Sequence, residues 1–159
     1  MTDWPEVPNF GEVLAGHIQS VTDEGRPAFL AGLERSAARR YRGWADELPD
    51  HAAVLQACAA REDEIAELVS GLFPVSAETQ AALDEALPAA IKTYYDVFSA
   101  HPVIHQLYLQ SEAELQGSQA WVGISAGVDD AEVKAILARC TELEIESSRD
   151  VKALLEKIA

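Results

Sequence analysis

At 159 residues, 48% of them hydrophobic, the chain is long enough for one domain with a sizeable core. Its formal net charge of −15 makes it too acidic for nucleic acid or an anionic membrane as partner. No apolar run approaches the roughly 18 residues of a membrane span and no basic-then-apolar leader opens the chain, so no membrane segment and a cytoplasmic location are expected.

Met1 to Pro8, with Trp4, Pro5 and Pro8, reads as an extended arm whose tryptophan docks on the rest of the chain or on a second subunit. Phe10, Val13, Leu14, His17, Ile18 and Val21 follow helical spacing and predict a short helix. His17, on that apolar face, reads as a packed residue rather than a ligand. Thr22–Pro27 predicts a turn into the first main helix, with Pro27 in its first turn. Leu30, Leu33, Ala37, Tyr41, Trp44 and Leu48 make one apolar face of that helix, which should end near Asp46. Arg35, Arg39, Arg40 and Arg42 form the basic cluster, read as a solvated face or a contact for an acidic partner or subunit.

Glu47–Asp50 predicts a turn with Asp50 as the N-cap of a second helix. Val54, Leu55, Cys58, Ile65, Leu68 and Val69 mark that helix, which should stop near Ser70–Gly71. Ser76 predicts the cap of a further helix reaching about Ala100, kinked or broken at Pro88. His101–Pro102 opens the next. His101 and His105 stand at a spacing that suits a metal pair, but Pro102 places His101 ahead of the helix and favours a structural role. Gln106, Gln110, Gln116 and Gln119 read as neutral surface. Gly127 predicts the end of this helix, and Asp129–Asp130 the cap of a last one running to about Ile158. The organisation expected is an N-terminal arm and short helix over residues 1–25, then a single helical domain over 26–159.

Glu34–Leu72 and Glu114–Leu154 look like copies of each other. A shift of 80 residues places Glu34 on Glu114 and Tyr41 on Trp121. Two extra residues in the following turn make the shift 82 and place Cys58 on Cys140, Glu62 on Glu144 and Val69 on Val151. Each copy reads as a helical hairpin. Each of the four helices carries one glutamate inside its apolar stripe: Glu34, Glu62, Glu114 and Glu144. Glu142 is the partner of Glu62 in an alternative register. Glutamate is seldom fully buried without a partner. Four carboxyls in one core must share protons, meet cations or bind metal, unless they snorkel to the edge of the face. Gly117 and Ser118, which match Ala37 and Ala38, are small enough for a neighbouring helix or a substrate to come close. Cys58 and Cys140 make no disulfide framework and read as small buried hydrophobes.

On Glu34 with Tyr41 seven residues later, Glu62 at mid-helix, and Glu114 and Glu144 in the second hairpin, residues 28–158 resemble the ferritin-like superfamily in its rubrerythrin-like branch. The resemblance implies an all-α, ferritin-like four-helix bundle of two repeated hairpins joined by a helical crossover. A crossover of about 22 residues would span roughly 33 Å and suits that topology. The resemblance also implies two iron or manganese ions held by Glu34, Glu62, Glu114 and Glu144, for redox chemistry with oxygen or peroxide. Tyr41 and Trp121 would stand behind them as hydrogen-bond donors or radical sinks. The family's two Glu-x-x-His histidines are replaced by Ile65 and Ser147, or by Ile145 in the Glu142 register. The implied ligand set is therefore all carboxylate, with Glu64, Glu112, Glu142 or Glu146 as additional or alternative ligands. Two other functions stay open: a degenerate, metal-free ferritin-like scaffold acting as a structural or interaction module, and a small-ligand site among the core aromatics. A homodimer or larger homo-oligomer is expected.

Overall fold

In the computed structural model, which describes residues 3–159, every long regular element is an α-helix and no strand occurs among the described residues. The helices are α1 (Phe10–Ile18), α2 (Arg26–Glu47), α3 (Ala52–Leu72), α4 (Ala77–Ser99), α5 (Val103–Ala126) and α6 (Ala131–Ile158). The starts of α1, α4 and α6 fall where a side chain satisfies first-turn N–H groups. Asn9 accepts from the Glu12 N–H at 3.0 Å, and Ser76 from that of Thr79 at 3.1 Å. Asp130 accepts from the N–H groups of Glu132 and Val133. One expectation fails: Asp50 caps nothing, and Pro49–His51 forms a 3-10 turn that leads straight into α3. Of the kink or break expected at Pro88 the break does not occur: α4 runs on through this exposed residue. None of these helices is long and apolar enough to cross a membrane.

The short turns after α2 and α5 fold each of them back on its successor, giving the hairpins α2/α3 and α5/α6, which join along α3 and α6. The helix α4 lies over α1 and α2 and connects the two hairpins. It crosses α2 closely at Gly32, where a Cβ would meet both Leu87 methyl carbons at 2.7 Å. The helices α2 and α5 stand apart and meet mainly through side chains. Trp44 Nε1 donates to Gln106 Oε1 at 2.8 Å, and Arg40 Nη2 to Gln110 Oε1 at 3.0 Å.

Apolar packing falls into layers. One holds Tyr41, Trp44, Leu55, Phe98, Leu107 and Val151. Another holds Ile65, Val69, Trp121, Leu137 and Leu143. A third lies under α1 and α4, around Leu14, Phe29 and Leu83. In each bundle helix the stripe glutamate comes between residues of the first layer and residues of the second. A polar layer therefore cuts the apolar core at the waist of the bundle.

Three surface expectations are corrected by packing. In the arginine cluster, Arg35, Arg39 and Arg42 are exposed, but Arg40 is only 9% exposed. Its guanidinium lies 4.8 and 4.6 Å from the ring centroids of Tyr94 and Phe98, because α4 crosses at that point. Gln110 is buried against it. Gln116 holds the N-terminal arm, accepting from the Phe10 N–H at 2.8 Å and donating to the Pro8 carbonyl at 2.9 Å. Of the four glutamines, Gln119 is the exposed one. Trp4 docks on the bundle, stacked on Tyr108 with centroids 4.7 Å apart. His17 Nε2 lies 3.0 Å from Thr93 Oγ1, packed as expected.

Replacing Gln116 by alanine removes both bonds that tether Pro8 and Phe10. The expected loss is about 1–3 kcal/mol of stability, with faster hydrogen exchange over residues 3–12 and none in α3. Unchanged exchange in that segment would show that the aromatic stack alone holds the arm.

Candidate metal centre

Glu34 on α2, Glu62 on α3, Glu114 on α5 and Glu144 on α6 converge in the polar layer. Glu62, Glu114 and Glu144 are buried to within 2% of full coverage, and Glu34 is partly exposed. One carboxylate oxygen from each of Glu34, Glu62 and Glu144 lies within 4.8 Å of the other two. Oxygens sharing one cation at roughly 2.1–2.5 Å stand no more than about 4–5 Å apart, so this triangle has the size of a single ion's donor set. Glu114 closes a ring: its carboxyl reaches Glu62 and Glu144, and theirs reach Glu34.

The helical repeat explains which glutamates arrive. Two residues along a helix turn a side chain about 200° round the axis. Glu64, Glu112, Glu142 and Glu146 therefore leave the core and end in ion pairs on the outer face. Glu112 pairs with Lys152 at 2.7 Å, Glu146 with Arg61 at 3.3 Å, Glu64 with Arg139 at 3.6 Å and Glu142 with Arg139 at 3.9 Å. None of the four adds to the cluster, and the register with Glu144 inside is the one observed.

Among the described residues, tyrosine, tryptophan and amide donors reach two of the four carboxyls. Tyr41 Oη donates to Glu114 Oε1 at 2.5 Å, and Gln110 Nε2 to the same oxygen at 2.8 Å. Trp121 Nε1 donates to Glu144 Oε1 at 3.0 Å. Glu144 also passes close over Gly117, where a Cβ would come within 2.6 Å of Oε1. Among the described residues neither oxygen of the fully buried Glu62 has a hydrogen-bond partner. The carboxyls of Glu34, Glu114 and Glu144 surround it.

Burial sets the electrostatics. Desolvation raises the Glu34 pKa to about 7, with the nearby Glu114 charge adding to it and contacts with Glu62 and Glu144 opposing it. Desolvation followed by the neighbouring carboxylates holds Glu62 and Glu144 well above the ordinary range. The metal-free cluster accordingly keeps protons that free carboxyls would release. Cys58 and Cys140 are free and buried, and desolvation lifts both thiols to about 12, so they are unreactive packing groups at neutral pH.

At the histidine positions of the resembling family, Ile65 is fully buried and apolar, and Ser147 is buried with its hydroxyl unpartnered. His101 and His105 stand at the start of α5, with His105 beside Trp4. Two residues of the site read as surface in the sequence: Gln110, which orients Glu114, and Arg40, which holds Gln110. A signal existed for Gln110, since it lies one turn before Glu114 and three residues after Leu107 on the same stripe.

Folding raises the pKa values of Glu34, Glu62 and Glu144, so their stabilising contribution is complete below the unfolded value of 4.5 and is lost as pH rises through the folded values, about 7 for Glu34. Glu34 alone accounts for up to about 3 kcal/mol. The metal-free protein should lose several degrees of melting temperature between pH 5 and pH 8, and Glu34→Gln should flatten that loss. A flat profile in the unsubstituted protein would mean that the carboxyls do not hold protons. Comparison with protein-family models, with curated proteins and with solved structures found no match to this chain.

Proposed function

We propose that this chain is a divergent ferritin-like protein whose four glutamates hold two divalent ions, iron(II) or manganese(II), for redox chemistry with oxygen or peroxide. The observation that carries this reading is Glu62, a fully buried carboxylate whose two oxygens have no donor and face other carboxylates. Leaving a buried anion uncompensated costs several kcal/mol, and cations are the strongest available compensation. Charge balance supports two ions, since four carboxylates match two divalent cations. Oxygen-only donors suit hard or borderline ions such as manganese(II) and iron(II).

The chain's own residues divide the work. Glu34, Glu62 and Glu144 bring three oxygens together as they stand. Tyr41 and Gln110 hold Glu114 Oε1, which leaves its second oxygen to complete the set. Trp121 orients Glu144 in the same way. Bound ions would supply the electrons for reduction of oxygen or peroxide. Glu34, the one partly exposed member, faces the cavity through which small molecules reach the cluster.

Anaerobic titration of the metal-free protein with iron(II) or manganese(II) should show about two equivalents bound, released as protons recover the carboxyls below about pH 7. Glu62→Gln together with Glu144→Gln should abolish uptake and raise the stability of the metal-free protein, because it removes ionisable groups from a dry site. No uptake by the unsubstituted protein at pH 8 would leave the proton-sharing scaffold as its function. Gly117→Ala crowds Glu144 and should weaken metal binding by roughly tenfold or more with little change in helix content.

A further inference from the structure

The helices α2 and α5 stand apart, and the space between them is a cavity of about 830 Å³, covered by α1 and by Tyr94 of α4. That volume lies within the usual range for small-molecule sites, roughly 300–1,000 Å³. Along α2 it extends from Arg26 to Arg40, fourteen residues or about 21 Å. Its body is apolar, lined by Leu14, Ile18, Leu30, Leu33, Ala37 and Ile124. The small residues Ala113, Gly117, Ala120 and Gly123 keep it open on the α5 side. Arg26, Ala120 and Gly123 are exposed and mark the mouth. At the inner end stands Arg40, nine-tenths buried.

Arg40 is under-compensated for a buried cation. It forms no ion pair among the described residues. Its Nη1 donates to Ser36 at 3.3 Å and its Nη2 to Gln110, while its Nε has no partner. Desolvation lowers its pKa, with Tyr94 and the more distant Glu114 opposing that shift. The rings of Tyr94 and Phe98 hold the guanidinium in place. A fixed planar guanidinium at the end of an apolar tunnel matches a carboxylate, which it can grip through two N–H groups.

We propose that this cavity binds an apolar monocarboxylic acid, its carboxylate on Arg40 and its hydrocarbon body lying along Leu33, Leu30 and Leu14 past Glu34. The apolar walls reject a polar body, and Arg40 rejects a cationic head. The acidic side chains on the same cavity, Glu34, Glu114 and Glu144, make the opposite demand and would favour an amine. Arg40 lies six residues, or about 9 Å, beyond Glu34 along α2, and Gln110 stands between it and Glu114, accepting from Arg40 and donating to Glu114.

Calorimetric titration of the metal-free full chain at pH 6 with decanoate, decanol and decylamine tests this. Decanoate should bind at least about tenfold tighter than decanol, with decylamine weakest. Arg40→Gln should abolish the advantage of decanoate and leave decanol within about twofold. Ala120→Trp, an exposed position at the mouth, should weaken both acid and alcohol with Arg40 intact, which covers the case in which Arg40→Gln does not fold. Equal binding of acid and alcohol would make Arg40 a structural group only, and tighter binding of the amine would assign the cavity to cations. No binding, or binding that Ala120→Trp leaves unchanged, would also overturn the proposal. Absence of metal uptake leaves each of these outcomes as it is, so failure of the metal centre and failure of the acid site are told apart.

Discussion

Four carboxyls packed between two apolar layers cannot persist as four bare anions. Each would forfeit its hydration, and together they would repel one another in a medium that screens poorly. The residues around them are arranged against that constraint. Tyr41, Gln110 and Trp121 aim donors into the layer, Gly117 makes room for Glu144, and Arg40 sets a positive charge behind Gln110. What the donors leave uncompensated must be met by protons or cations.

The repeat makes the remaining imbalance legible. Tyr41 and Trp121 occupy equivalent positions, yet they serve different partners. Tyr41 reaches across the bundle from α2 to Glu114 on α5, whereas Trp121 on α5 turns to Glu144 within its own hairpin. An equivalent reach by Trp121 would have satisfied Glu34. The donors therefore gather on the α5/α6 side, and Glu34 and Glu62 on the α2/α3 side are left with other carboxyls. The two hairpins place four acids on one layer, and the different reach of Tyr41 and Trp121 makes one half of that layer the more demanding of cations.

The second hairpin also opens the interior. Close packing of α2 on α5 would need side chains large enough to fill the gap, but α5 presents Ala113, Gly117 and Ala120. The arm, α1 and α4 cover the space from outside instead, held by Gln116, by Trp4 on Tyr108 and by α4 crossing at Gly32. The bundle forgoes some apolar contact between two of its helices and gains a chamber against the polar layer. Arg40 becomes buried by the same arrangement, since it is α4 that closes over it.

Helical periodicity made the all-α class, the two hairpins and the four inward glutamates readable from the chain alone. A residue's place on an apolar stripe is a local property, fixed by about 100° of rotation per residue. The sequence left Glu142, Glu64, Glu112 and Glu146 open as ligands, and only the packed helices placed all four in ion pairs on the outer face. Local sequence could not say what covers a helix from outside. Arg40 and Gln110 looked like surface because their burial comes from α4 and from α2 meeting α5, more than 50 residues away in each case. Gln116 binds the arm for the same reason, over a separation of 106 residues. Asp50 was judged by its immediate neighbours, yet the 3-10 turn at Pro49–His51 decided its role. The inventory of acids was written in the sequence, whereas their compensation, and the cavity that reaches them, arose only when the helices packed.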